Sequence, residues 1–235
     1  MANSFELIIH YLPAIFRALP ATLSLLFVPV AVAIVFGFFL AWARISKSKI
    51  LAVLSAVYIS FMRGIPMMVQ ILLVFILIPT LAFQHGIDTS AWSPMVYALV
   101  AFSLNLSAFF AEIFRSAYIS LDYKQIEAAE SLGMSPVQTF MRVIFPQGAV
   151  VALPNLTNMT LEMMKNTSIA AVIGVYDILA RAQQLAKNNY GSGQMELYLT
   201  VGVIFWLLGL LILAVSNMAS RRLNKGYGQS VKVKA

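Results

Sequence analysis

The chain has 235 residues, 60% of them hydrophobic and only 11% charged, whereas about a quarter of the residues of a soluble domain are ionic. It therefore reads as an integral membrane protein. The absence of cysteine excludes disulfides, thiolate metal sites and thiol nucleophiles, and His10 and His85 are too few and too distant for a metal cluster.

Residues 1–17 read as an extracytoplasmic N-terminal segment. They lack the basic region of a cleavable signal peptide, and the apolar run that follows is too long for one. Spanning the hydrocarbon core takes about 20 apolar residues in a helix, and the longest charge-free runs cover residues 18–43, 64–84, 89–111, 143–161 and 197–220. They predict an all-α fold of five transmembrane helices. The second is expected to begin earlier, at Ile50, and the fourth to continue past Leu161. The spans show no alternating ten-residue strands, which argues against a barrel.

Basic residues orient the spans. Arg44, Lys47 and Lys49 follow the first, Arg115, Lys124 and Arg142 the third, and Arg221, Arg222, Lys225, Lys232 and Lys234 the fifth. The opposite side holds Arg17, Arg181 and Lys187. The N-terminus is therefore expected outside and residues 221–235 are expected to form a basic cytoplasmic tail. That tail can lie against anionic membrane lipid, so the net charge of +7 needs no nucleic-acid partner. Tyr118, Tyr123, Tyr227 and Trp42 fall at the expected cytoplasmic interface, as an aromatic belt requires.

Between the third and fourth spans lies a polar loop, residues 116–146. Asp122 is a candidate N-cap with Gln125 three residues on, and Gly133 suits the left-handed position that ends a helix. Ser135, Pro136 and Gln138 then signal a second helix through an N-cap, a first-turn proline and a capping box. Val137, Phe140, Met141, Ile144 and Phe145 recur as one apolar stripe. The loop is expected to be a compact two-helix unit pressed against the membrane domain, with Ala128 and Ala129 leaving room for a close partner. A plain solvated connector is the alternative. A DNA-reading helix-turn-helix is disfavoured, because the loop is too short to be an independent domain.

These residues resemble a known family. Glu127-Ala128-Ala129, Gly133 and Phe145-Pro146 are similar to the EAA loop in permease subunits of binding-protein-dependent ABC importers. Phe61-Met62-Arg63-Gly64-Ile65-Pro66 resembles that family's Arg-Gly-Thr-Pro segment, with Ile65 in place of Thr. Ser103 to Arg115 and Lys165-Asn166-Thr167-Ser168-Ile169 resemble the polar amino-acid branch, which includes histidine, glutamine, arginine and cystine permeases. Val143 stands where the family usually has Ile, and Lys124 where Gly is common. The matches cover residues 18–220, the expected permease domain.

The resemblance implies a type I ABC importer permease fold with a cytoplasmic coupling helix, in which Glu127, Ala128, Ala129 and Gly133 meet the motor subunit. It implies two ABC ATPase subunits that bind ATP and Mg, leaving no cofactor in this chain. It also implies a second permease copy or paralogue, an extracytoplasmic amino-acid-binding protein, a polar amino-acid substrate and a prokaryotic inner membrane. The chain itself has no Gly-x-x-x-x-Gly-Lys-Ser/Thr phosphate loop.

Ionisable residues at membrane depth face a protein interior or a water-filled cavity. Arg63 qualifies, and Gly64 and Pro66 beside it can break the helix, either lining the substrate path or forming a structural kink. Glu162 and Lys165 share a helix face, and Asn166, Thr167 and Ser168 extend a polar patch preceded by Thr157 and Asn158. Such a patch suits a ligand with an ammonium and a carboxylate; an interface ion pair is the alternative. Asn105 and Ser107 read as interhelix glue, and Glu112 with Arg115 as a pair near the cytoplasmic end. Two rival functions remain: an ion-gradient-driven secondary transporter or channel subunit, and an intramembrane enzyme. The second lacks paired aspartates, cysteine or a histidine-rich site.

Overall fold

The computed structural model describes residues 4–191 and 193–225; Tyr227, Lys232 and Lys234 lie outside them. Among the described residues every regular element is helical: α1 (Ser4–Phe16), α2 (Leu19–Ile45), α3 (Lys49–Gly64), α4 (Met67–Gln84), α5 (Pro94–Ile119), α6 (Tyr123–Ser131) and α7 (Pro136–Thr139). A π turn (Phe140–Ile144) joins α7 to α8 (Phe145–Asn166), which tightens into a 3-10 segment (Thr167–Ile173) before α9 (Ile178–Asn188) and α10 (Gln194–Lys225).

Among the described residues four helices are long and apolar enough to cross a membrane: α2, α4, α5 and residues Gln194–Asn224 of α10. A fifth crossing is available if Pro136–Ile173 and Ile178–Asn188, bent by 50°, act as one broken span. The expected five crossings are accommodated. The second is not one helix from Ile50, however, because α3 ends at Gly64 and α4 starts at Met67. A single helix from Ile50 to Gln84 would run about 50 Å at 1.5 Å per residue, well beyond a hydrocarbon core of about 30 Å. Pro66 supplies the break, since it lacks an N–H and its ring disfavours helical geometry in the residue before it.

The centre of the molecule is the α2–α5 pair. Here the backbones come so close that a Cβ on Gly37 would sit 2.9 Å from Phe110 Cβ and 3.1 Å from Ser107 O. Small residues allow such an approach, which is how helices gain contact when lipid supplies no hydrophobic drive between them. Around this pair Leu25, Leu26, Ala33, Ile71, Phe102, Leu106, Phe110 and Met163 form the main core. A second cluster joins Ile15 of α1, Ile178 and Ala182 of α9, and Leu197 and Val201 of α10. Large apolar side chains such as Phe36, Phe39, Val57, Leu207 and Leu211 remain exposed, as lipid-facing or partner-facing surfaces do.

Candidate functional site

The loop after α5 is built by its caps. Asp122 Oδ1 accepts from Lys124 N at 3.1 Å to start α6. At the other end Gly133 takes a φ of +76° while Met134 N donates to Ala129 O at 3.1 Å and Gly133 N to Glu130 O at 2.9 Å. These bonds satisfy the carbonyls left open at a helix C-terminus, and they need a left-handed residue between them. Two residues later Ser135 and Gln138 form a reciprocal capping box, with Ser135 N donating to Gln138 Oε1 at 2.9 Å and Gln138 N to Ser135 Oγ at 3.3 Å. Gln125 does not close a capping box with Asp122; its Oε1 accepts from Gln147 Nε2 at 2.7 Å, tying α6 to the start of α8.

α6 buries Ile126 and Ala129 against its own loop and leaves Glu127 and Ala128 exposed. Tyr123, Leu132 and Val137 are exposed beside them, Leu132 by 81%. The expected apolar stripe does not press on the membrane domain as a unit. Phe140 is half-buried, 5.9 Å from the Phe38 ring, while Val137, Met141 and Phe145 stay outside. The outward residues keep a four-residue spacing, and Thr139, Phe140 and Ile144 turn inward, so the segment is rotated and presents the edge of the stripe to the membrane domain.

At the α3–α4 break the freed carbonyls are met by side chains. Gln70 Nε2 donates to Met62 O and Ile65 O, both at 2.7 Å. Asn105 of α5 donates to Met62 O at 3.3 Å and to Gln70 Oε1 at 3.1 Å, the glue role expected of it. Arg63, Gly64 and Pro66 are exposed, and the Arg63 guanidinium lies over the Phe109 ring, 5.4 Å from its centroid. Lower on α5, Arg115 Nε donates to both Glu112 oxygens at 3.1 Å, which is the expected pair.

On α8 the polar residues divide. Lys165 Nζ lies 3.3 Å from Glu162 Oε2, with the two side chains 66% and 53% exposed. Asn155 and Asn158 are exposed on the same face and Asn166 is half-buried, so one open polar stripe runs along the helix. Thr167 and Ser168 turn elsewhere. Their hydroxyls donate to Asp177 Oδ2 at 2.8 and 2.6 Å, and the Asp177 carboxylate is wholly buried. Thr157 also turns away, paired with Ser216 of α10 at 2.6 Å.

Reasoning from sequence missed Gln70 and Asp177. Each carried a signal: Gln70 is a lone amide in an apolar run, and Asp177 is the only acidic residue between Glu162 and Glu196.

Comparison with known proteins supplies the relatives of this arrangement. Residues 33–225 match the family described as "Binding-protein-dependent transport system inner membrane component". The chain is 37% identical over 232 residues to the L-cystine transport system permease protein TcyL of Bacillus subtilis strain 168, covering 99% of this chain and 96% of that one. It is 35% identical over 228 residues to the probable amino-acid ABC transporter permease protein PatM of Vibrio harveyi, covering 97% and 99%. A crystal structure of an amino acid ABC transporter with histidines superposes with a TM-score of 0.79 at 30% identity, covering 94% of this chain and all of that one.

Proposed function

The chain belongs to the family of binding-protein-dependent transport system inner membrane components, and on that premise we propose how it moves a polar amino acid. It is a multi-pass inner-membrane permease subunit of an amino-acid ABC transporter, and the driving ATP hydrolysis takes place in separate subunits. Two ATPase subunits that bind ATP and Mg would each grip a loop like the one after α5, and an extracytoplasmic amino-acid-binding protein would deliver the solute.

The exposed outer face of α6 is the observation that carries this reading. Glu127 and Ala128 stand between exposed Tyr123 and Leu132, offering a carboxylate, a small residue and apolar anchors to one partner groove. Gly133 holds the turn that presents them, and Ala129 anchors the helix from beneath. The link from α6 to α8 through Gln125 and Gln147 then passes motion of the loop to the helix that bears the polar stripe.

The stripe on α8 is the proposed solute path, with Glu162 facing an ammonium and Lys165 and Asn166 facing a carboxylate. Arg63, Gly64 and Pro66 at the α3–α4 break supply a second irregular, charged edge. Thr167 and Ser168 belong to the path as its base, through the carboxylate they hold. Exposed charges at membrane depth are costly unless hydrated or covered, so a second permease, identical or paralogous, is needed to enclose them. The basic residues place the N-terminus outside and the C-terminus in the cytoplasm.

The test is reconstitution of the permease with its ATPase and receptor in liposomes. Uptake of L-cystine or L-histidine should require ATP. Glu127→Lys should abolish uptake while ATP hydrolysis continues, whereas Glu162→Gln and Lys165→Gln should raise the half-saturating concentration by about tenfold, the effect of one lost charged contact. Transport by the purified permease alone, driven by an ion gradient, would sink the reading and favour a secondary transporter.

A further inference from the structure

Asp177 joins the 3-10 segment to the start of α9, and the residue after it ties that junction to the distant α2. Its Oδ2 accepts from Thr167 and Ser168, the first two residues of the 3-10 segment, and its Oδ1 accepts from Ala180 N at 2.8 Å, capping α9. The next residue, Ile178, donates its N–H to Thr22 Oγ1 of α2 at 3.1 Å. Thr167, Asp177 and Thr22 are each fully buried.

The position of this carboxylate matters for what precedes it. The open polar stripe of α8 ends at Lys165 and Asn166, directly before the two hydroxyls that Asp177 holds. Two consecutive side chains point about 120° apart in a 3-10 helix of three residues per turn, so one oxygen that accepts from both Thr167 and Ser168 sets the rotation of the chain about its axis at that point. Three donors on one buried carboxylate also make the arrangement costly to leave, because the carboxylate would lose its acceptor bonds while buried and Ala180 N its cap, although Thr167 Oγ1 also has Met164 O at 3.0 Å as a second acceptor. The same carboxylate caps α9, so the end of the stripe and the tilt of α9 are set by one group.

We propose that Asp177 is a positioning residue for translocation, which holds Thr167 and Ser168 so that Asn166, Lys165 and Glu162 face the solute at one fixed rotation. The proposal rests on reading the α8 stripe as the solute path, and two separate readouts keep the two ideas apart.

The absence of cysteine from the chain provides the first. Asn166→Cys in the assembled importer, held in nanodiscs, is a single reporter for a hydrophilic maleimide, with Ser90→Cys in the α4–α5 loop as a control. Asp177→Asn replaces one acceptor oxygen by an amide, and should change the labelling rate at position 166 by about fivefold or more while the rate at position 90 stays put, as expected when a coupled network is broken locally. The second readout is uptake of L-cystine and L-histidine by the complete importer in liposomes. Here Asp177→Asn should raise the half-saturating concentration by about tenfold, with little further loss when combined with Thr167→Val and Ser168→Ala, because all three remove one interaction.

Unchanged labelling at position 166 in assembled Asp177→Asn complexes overturns the positioning role whatever the solute path is. Changed labelling with unchanged half-saturation, in Asp177→Asn as in Glu162→Gln and Lys165→Gln, instead overturns the path reading and with it the role in translocation. A purely structural Asp177 would lower the yield of complex and the maximal rate together, and would leave both readouts at their parental values. If Asp177→Asn does not assemble, the Thr167→Val, Ser168→Ala pair keeps the carboxylate on the α9 cap and must reproduce the labelling change. Failure of that pair to do so overturns the proposal.

Discussion

Single residues carry the irregular backbone of this protein. A carbonyl freed inside a membrane has no water to accept from, so each break needs a side-chain donor. Gln70 alone supplies two such bonds at the α3–α4 break, and Asn105 braces it. Replacing Gln70 by leucine keeps the volume but strands Ile65 O and leaves Met62 O with only its 3.3 Å bond from Asn105, and an unsatisfied buried group costs about 1–3 kcal/mol. Gln70→Leu should therefore lower the unfolding temperature of the purified permease, followed by tryptophan fluorescence, more than Asn105→Ala does, since the latter leaves both Gln70 bonds to the backbone in place. Equal melting of Gln70→Leu and the parent would show that the break needs no donor. The caps at Asp122, Ser135 and Gly133 were legible in sequence because they depend on residues at most five apart. The Gln70 role was not, because its carbonyl partners become available only where a helix has already broken.

At the scale of elements, packing rather than propensity decides the architecture. α2 and α5 meet at Gly37, where any side chain would collide with backbone atoms Ser107 O and Ala111 N, 3.1 Å from a Cβ. Gly37→Leu should force the pair apart and cut the yield of folded permease in size-exclusion chromatography, while Gly37→Ala should be milder because a methyl intrudes less than an isobutyl group, although Phe110 Cβ, 2.9 Å away, must still shift. Gly202 makes a useful control, as nothing lies within 4 Å of its Cβ position. Comparable yields for Gly37→Leu and Gly202→Leu would refute the close approach as a determinant. The π turn at Phe140–Ile144 is the element that periodicity could not foresee. Val137, Met141 and Phe145, four apart, face outward while Phe140 and Ile144, four apart, are half-buried and Phe140 packs inward on Phe38, so the stripe is turned sideways and only its edge meets the membrane domain.

For the whole molecule, five crossings and a one-sided charge bias define how the chain sits in its membrane. Single cysteines placed on the two sides test the orientation without interference from native thiols. With the N-terminus outside, Ser90→Cys should react with an impermeant reagent on intact cells, and Ser131→Cys of α6 only after permeabilisation. The reverse pattern would put the loop after α5 outside, away from any ATPase. Orientation matters to function because the outer face of α6 can serve a cytoplasmic motor from one side of the membrane only. It also sets the expected division of labour, with α1 and α9 packed together on the receptor side and the capped loop on the motor side.

The sequence by itself determined the membrane class, the five crossings, the capped loop after α5, the helix break at Pro66 and the pairing of Glu112 with Arg115. All of these follow from composition or from residues near one another in the chain. Tertiary structure decided which polar groups are open and which are spent. Within residues 162–168, Glu162 and Lys165 face outward while Thr167 and Ser168 turn to a buried carboxylate nine or ten residues on; within one turn of α6, Ala128 is exposed and Ala129 buried. The physical reason is that burial and hydrogen-bond satisfaction are set by neighbours brought from afar. Ile178 meets Thr22 across 156 positions, and no local pattern encodes that encounter.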